Sequence, residues 1–431
     1  MRNAVGVRVR ERRQAAGLTQ AGLAGERFSK EYVSQIECGK TSASAEALAF
    51  IASRLGTDVS FLETGVSAAD RKRAERGISE ADELSNANEY ASALTALDAV
   101  ADIVEAADDG SLLGSWALVR GWALVQLGEL DAASALLDRQ EIDGSAAAGL
   151  VFLRGVVAYK RSGVEDATRL FGEALALAVA SQMPSDRVRS DIYAWRSRCH
   201  RRTRDWEAAR EDVSLAIAFA TSGNDPRRIA FAYFQASLVH ERTGNWLQAR
   251  RDATRARELF AQLGDRDNEG RMLNNLGGLA HLLGDSQRAI ELLDESFVIA
   301  VETGSAPDAG HVLCSLAEVR LAGDELEPAE RDARKALELF DERLDYMHEI
   351  GIARLTLGRA LLEQGRSDEA EMEIRAAERS FAQIQSPGHE AAAWIAHGDL
   401  SAKRGLTGEA ADRYREAATA LLPDVLLTFA E

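Results

Sequence analysis

The polar side chains between residues 17 and 40, in GLTQAGLAGERFSKEYVSQIECGK, are of the types that read nucleic acid. Lys30 can reach guanine or a phosphate, Gln35 can pair with adenine through its amide, and Glu31 can accept from cytosine. Ser29, Ser34 and Lys40 add hydroxyl and ammonium groups to the same stretch. Singly, each would be an ordinary solvated helix residue. Their grouping is what points to double-stranded DNA.

Such residues act only if short helices present them. Thr19 can cap a first helix whose core face is Leu23 and Ala24, and Ser29 a second with Val33 and Ile36 turned inward. The turn between them, residues 25–28, is too short for an antiparallel hairpin. Two short helices joined in this way form a helix-turn-helix unit, the second helix entering the major groove. A helix from Asn3 to Ala16 should precede them, with Val5 and Val9 inward and Arg8, Arg10 and Arg12 outward. A fourth should run from Ala45 to Leu55, followed by a short turn capped by Ser60 and Glu63.

The G-L-T-Q at Gly17–Gln20, Leu23-Ala24 and the Y-V-S-Q-I-E-C-G-K from Tyr32 to Lys40 resemble the Cro and phage-repressor (XRE) family. The likeness continues through Ala47-Leu48, Ile51-Ala52, Leu55-Gly56 and Phe61-Leu62, so it covers residues 4–65. It implies a small five-helix DNA-binding domain, a phosphate grip by Gln20, and an ion pair between Arg13 and Glu37. The turn before Ser29 is shorter than usual and lacks the customary Gly ahead of Phe28. A turn of that length resembles the peptide-sensing RRNPP regulators, which carry tetratricopeptide repeats downstream.

Charge divides the chain. The net charge is −18, yet residues 1–65 hold nine Lys/Arg against seven Asp/Glu, while the remainder holds 42 against 62. Only the first segment tolerates phosphate; the acidic body would be repelled by it. Three cysteines far apart fit a reducing cytoplasm, no stretch is apolar enough to span a membrane, and the charged start is unlike a signal peptide. The nucleotide-binding GxxxxGK[ST], the hydrolase GxSxG and the zinc motif HExxH are all missing, so no catalytic residue, metal or cofactor is assigned.

Beyond residues 66–73, a polar connection, a repeat governs the sequence. Ala93, Ala133, Ala167, Ala209, Ala249, Ala289, Ala329, Ala370 and Ala410 recur at intervals of 34 to 42 residues. Twelve residues before most of them stands a small residue: Gly121, Gly155, Ser197, Ser237, Gly277, Ala317, Gly358 or Gly398. This is the tetratricopeptide pattern of two helices and a tight turn, although the usual unit has about 34 residues. Nine copies predict a right-handed, all-α solenoid over 74–431, with LLPDVLLTF at the end as its cap. Prolines 184, 226, 307 and 387 fall before successive first helices, where a missing N–H costs little.

The first helix of each repeat should line a groove, and there Arg198, Arg201, Phe234, Gln235, Arg271, Asn274 and His281 are the candidate ligand residues. An Asn amide can bind both N–H and C=O of an extended peptide, and Arg can hold a carboxylate. His200, His240 and His281 recur at nearly the repeat period. Equivalent atoms in neighbouring repeats lie about 10 Å apart, too far to share a metal. The expectation is a cytoplasmic, homodimeric transcription regulator whose repeats sense a peptide or partner protein. The alternative is an interaction scaffold with an accessory DNA-binding domain.

Overall fold

The computed structural model describes residues 2–140, 146–181, 185–341, 346–384 and 386–426. Every regular element among them is helical, and the chain divides into two compact units, residues 1–219 and 220–431.

The first unit opens with α1 (Arg2–Ala15), α2 (Gln20–Ala24), α3 (Lys30–Glu37), α4 (Ala45–Leu55) and α5 (Val59–Thr64). Val9, Leu23, Val33, Ile36, Ile51 and Leu62 fill their shared core. Gly6 lets α1 and α3 touch: a Cβ there would stand 2.3 Å from the Ile36 carbonyl oxygen. The cap of α5 differs from the expected Ser60–Glu63 pair. Asp58 takes that role, accepting from the Phe61 N–H at 2.7 Å, and its other oxygen accepts from the Ala68 N–H at 3.0 Å. One carboxylate therefore fixes the starts of both α5 and α6 (Ala68–Asn86). The segment 66–73, expected as a connection, is helical from Ala68 onward because Ser67 also caps α6.

Helix pairs follow. They are α6 with α7 (Tyr90–Asp98), then, after the short α8 (Ala101–Ala106), α9 (Gly110–Gln126) with α10 (Leu130–Asp138). Next come α11 (Ala147–Lys160) with α12 (Val164–Ala180), and α13 (Asp186–Arg202) with α14 (Trp206–Ser222).

The second unit continues with α15 (Pro226–Arg242) and α16 (Trp246–Gln262), α17 (Arg266–Leu282) and α18 (Ser286–Glu302), and α19 (Ala306–Ala322) and α20 (Leu326–Phe340). It ends with α21 (Met347–Glu363) and α22 (Ser367–Gln383), and α23 (Pro387–Lys403) and α24 (Thr407–Leu426). Residues 427–431 and the side chains of 422–426 lie outside the described residues, and with them most of the expected cap; so does Pro184.

The nine repeat alanines are all buried, none more than 4% exposed. They mark the tight crossing of each pair, and the preceding small residues allow it. A Cβ on Gly277 would stand 2.6 Å from Leu293 Cγ, and one on Gly358 2.7 Å from Ile374 Cγ1. The 40-residue period has a simple cause. Helices α15 to α19 are each 17 residues long, longer than the usual repeat helix. Three-residue turns join them. Gly264 and Gly284, with φ of 68° and 86°, end one helix, and Asp265 and Asp285 cap the next. Phe340 and Phe381 are fully buried against Gly310 and Gly351 of neighbouring helices. Burying such a ring stabilises by roughly 1.5–3 kcal/mol.

Candidate nucleic-acid interface and repeat groove

Helix α3 presents the expected polar face. Thr19 Oγ1 accepts from the Gly22 N–H at 2.9 Å and Ser29 Oγ from the Tyr32 N–H at 3.1 Å, so both helices start where their hydroxyls place them. Val33 and Ile36 are buried, whereas Lys30, Glu31, Gln35 and Lys40 are exposed and Ser34 is half-buried. Ser29 is exposed, but its hydroxyl oxygen is committed to the cap. Gln20 is held differently from a free phosphate grip: its Nε2 donates to Glu37 Oε2 at 3.0 Å. Arg8, expected on an outer basic face, turns back and donates to the Glu63 carbonyl at 2.7 Å and to Asp108 at 3.1 Å. Arg12 lies 4.2 Å over the Phe61 ring.

In the second unit, α15, α17, α18 and α19 line a cavity of about 280 Å³. Phe234, Arg271 and Asn274 line it, with Asn275, Asp308 and His311. Asn274 Oδ1 is buried there and accepts no hydrogen bond among the described residues. Asn275 is tied to α15, its Nδ2 donating to Glu241 at 3.2 Å and its Oδ1 lying 3.4 Å from the Ser237 hydroxyl. The Arg271 guanidinium forks onto Asp308, both contacts being 3.1 Å. Burial alone would raise the Asp308 carboxyl; its bonds from Arg271 outweigh that and hold it below the usual range.

Not every expected groove residue comes here. Gln235 is 2% exposed and turned into the interior, because its neighbour Phe234 takes the cavity-facing position. His281 lies beyond the cavity lining, with Nδ1 buried and unpaired. Arg198 and Arg201 belong to the first unit, where Arg198 packs 4.2 Å from the Trp195 ring centroid. Asp308 was missed from the sequence. It stands 37 residues from Arg271, and only an opposite charge near the repeat period marked it.

Residues 4–79 match the family model of a helix-turn-helix domain, and residues 228–300 and 355–424 match tetratricopeptide repeat models. The chain carries a helix-turn-helix domain followed by tetratricopeptide repeats. No curated protein matches it. Among solved structures, a Rap protein complexed with Competence and Sporulation Factor is similar with TM-score 0.55 at 15% identity, over 79% of this chain and 99% of that one. The apo form of the quorum sensor NprR from B. thuringiensis gives 0.61 at 11% identity, covering 80% and 98%. NprR in complex with its cognate peptide NprX gives 0.56 at 13%, covering 82% and 99%. At these identities the likeness establishes the repeat fold alone. Among the described residues no helix is long and apolar enough to cross a membrane.

Proposed function

We propose that this helix-turn-helix and tetratricopeptide-repeat protein is a sequence-specific DNA-binding transcription regulator of the cytoplasm, and that its repeats sense a peptide or partner protein. Residues 1–65 hold the duplex through Lys30, Glu31, Ser34, Gln35 and Lys40, with Ser29 and Gln20 shaping the helices that present them. Residues 74–431 are the sensor. The observation that carries the sensing half is Asn274 Oδ1, a buried acceptor without a donor, facing a cavity beside Arg271 and Phe234. An extended peptide supplies the missing N–H and can take the Asn amide's donors through a carbonyl. NprR, which shares the repeat fold, has been solved with a peptide bound.

The DNA-binding half rests on the matched domain and the exposed polar face of α3. Working as a homodimer, the protein would read two half-sites whose spacing a bound ligand resets. Two measurements test the reading on the full chain. Duplex binding followed by anisotropy should weaken steeply as salt rises. Mass spectrometry of the purified protein should find a bound peptide that Asn274→Ala releases. Salt-insensitive or absent DNA binding sinks the first half; equal peptide retention by the variant sinks the second.

A further inference from the structure

Three consecutive first helices of the first unit, α9, α11 and α13, carry an unusual charge distribution. In a chain with 69 acidic residues, α9 and α11 contain neither Asp nor Glu, and the acids of α13 sit in its first half. The end of this face is basic and aromatic. Trp195 meets Trp122 edge-on at 6.3 Å and Tyr159 edge-on at 5.8 Å, so one residue from each helix builds a continuous ring wall. Arg198 lies on that wall, 4.2 Å from the Trp195 centroid and 5.0 Å from Tyr159, and Arg202 lies 5.3 Å from Tyr159. Lys160 follows Tyr159 at the end of α11.

The neighbouring arginines are neutralised: Arg196 forks onto Asp212 and Arg161 pairs with Asp131. Lys160, Arg198 and Arg202 have no carboxylate within ion-pair distance among the described residues. Trp122 and Arg198 each directly follow the small residue of their helices, Gly121 and Ser197. In the second unit Leu238, which follows Ser237, occupies the matching position and lines the cavity described above. Arg198 thus holds the position in α13 that faces the cavity in α15.

We propose that Lys160, Arg198 and Arg202, set on the ring wall of Trp122, Tyr159 and Trp195, form an anion subsite that holds a carboxylate of an acidic peptide. The proposal rests on the peptide-sensing reading and names the ligand's chemistry. Two guanidinium groups held over aromatic rings leave N–H donors for a carboxylate, while the rings accept an adjacent apolar side chain. A carboxylate would also relieve the crowding of like charges. Burial, and then the Arg198 charge, hold the Lys160 ammonium below its ordinary value. A phosphate group shares the chemistry of the anion, so the test must separate the two.

The test uses the full chain and two fluorescein-labelled, acetylated hexapeptides, (Leu-Glu)3 and (Leu-Gln)3, followed by anisotropy. The Glu peptide should bind at least tenfold more tightly than the Gln peptide. The double variant R198Q/R202Q should bring the two to equality. Lys160→Gln, at the end of α11, should narrow the preference about threefold and stands in should the double variant fail to fold. Equal binding of the two peptides by the wild type overturns the subsite and leaves the sensing reading intact. Binding of neither overturns both. Displacement of the Glu peptide by equimolar inorganic phosphate, or by a short duplex at lower concentration, assigns the cluster to another anion and overturns the proposal.

Discussion

Arg13 grips Glu37 with both sides of its guanidinium, Nε lying 2.6 Å from Oε1 and Nη2 3.0 Å from Oε2. The Glu37 side chain is 2% exposed, and Gln20 donates a third hydrogen bond to it. One buried carboxylate therefore joins the ends of α1, α2 and α3, and with them the angle at which α3 is presented. Glu37→Ala should cost about 3–5 kcal/mol, since it leaves Arg13 half-buried and unpaired, and the double variant with Arg13→Ala should cost less. Thermal melts of the single and double variants check this; equal losses would reduce the pair to surface decoration.

The same carboxylate sets a pH dependence. Burial alone would raise Glu37, but the bonds from Arg13 and Gln20 win and hold it below its ordinary value of 4.5. A carboxyl with a depressed folded-state pKa contributes its full stability above the unfolded value and loses it as pH falls through the folded one. Melting of the N-terminal domain should thus be insensitive to this group above about pH 5 and decline below about pH 4. Glu37→Gln should flatten that acid limb. An unchanged limb would place the dependence on other carboxylates.

Gln35 is exposed on the last turn of α3, and its side chain makes no hydrogen bond among the described residues. Gln35→Ala should relax sequence preference at one operator position by about 1–3 kcal/mol, if the amide bonds both N6 and N7 of an adenine. Competition binding over a set of single-base operator variants reads this directly. Uniform weakening at every position would make Gln35 a phosphate contact.

Two adjacent glycines of α17 predict opposite outcomes. A Cβ on Gly277 would meet Leu293 Cγ at 2.6 Å, whereas one on Gly278 meets nothing within 4 Å. Gly277→Ala should destabilise the second unit by about 1–3 kcal/mol through overpacking. Gly278→Ala should stabilise it by about 0.5–1 kcal/mol by restricting the unfolded chain and favouring helix. Denaturant unfolding of the pair checks both signs, and a shared sign would show that the helix crossing is looser than the structure has it.

Asn274 carries the tension expected of a binding residue. Its buried Oδ1 lacks a donor among the described residues, a state that costs roughly 1–3 kcal/mol in the unliganded protein. Asn274→Ala should leave the melting temperature of ligand-free protein unchanged or higher while weakening ligand binding. Scanning calorimetry with and without the recovered ligand separates the two effects. A clear loss of stability without ligand would make Asn274 a packing residue instead.

Much of this molecule is local, and local order is written in sequence. Thr19, Ser29 and Ser44 cap the helices that follow them because a hydroxyl reaches the backbone N–H three residues on, whatever surrounds it. The repeat alanines are equally legible, since each marks the same crossing and a periodic pattern reports a periodic contact. The tertiary structure alone decided the rest. Phe234 and Gln235 are neighbours on one helix, and only the packing of α15 against its neighbours turns the first to the cavity and buries the second. Arg271 finds Asp308 37 residues away, Arg8 finds Asp108 100 residues away, and Asp58 rather than Ser60 caps α5. Side chains such as these choose among several partners within reach, and the choice is made by which helices the fold has already brought together.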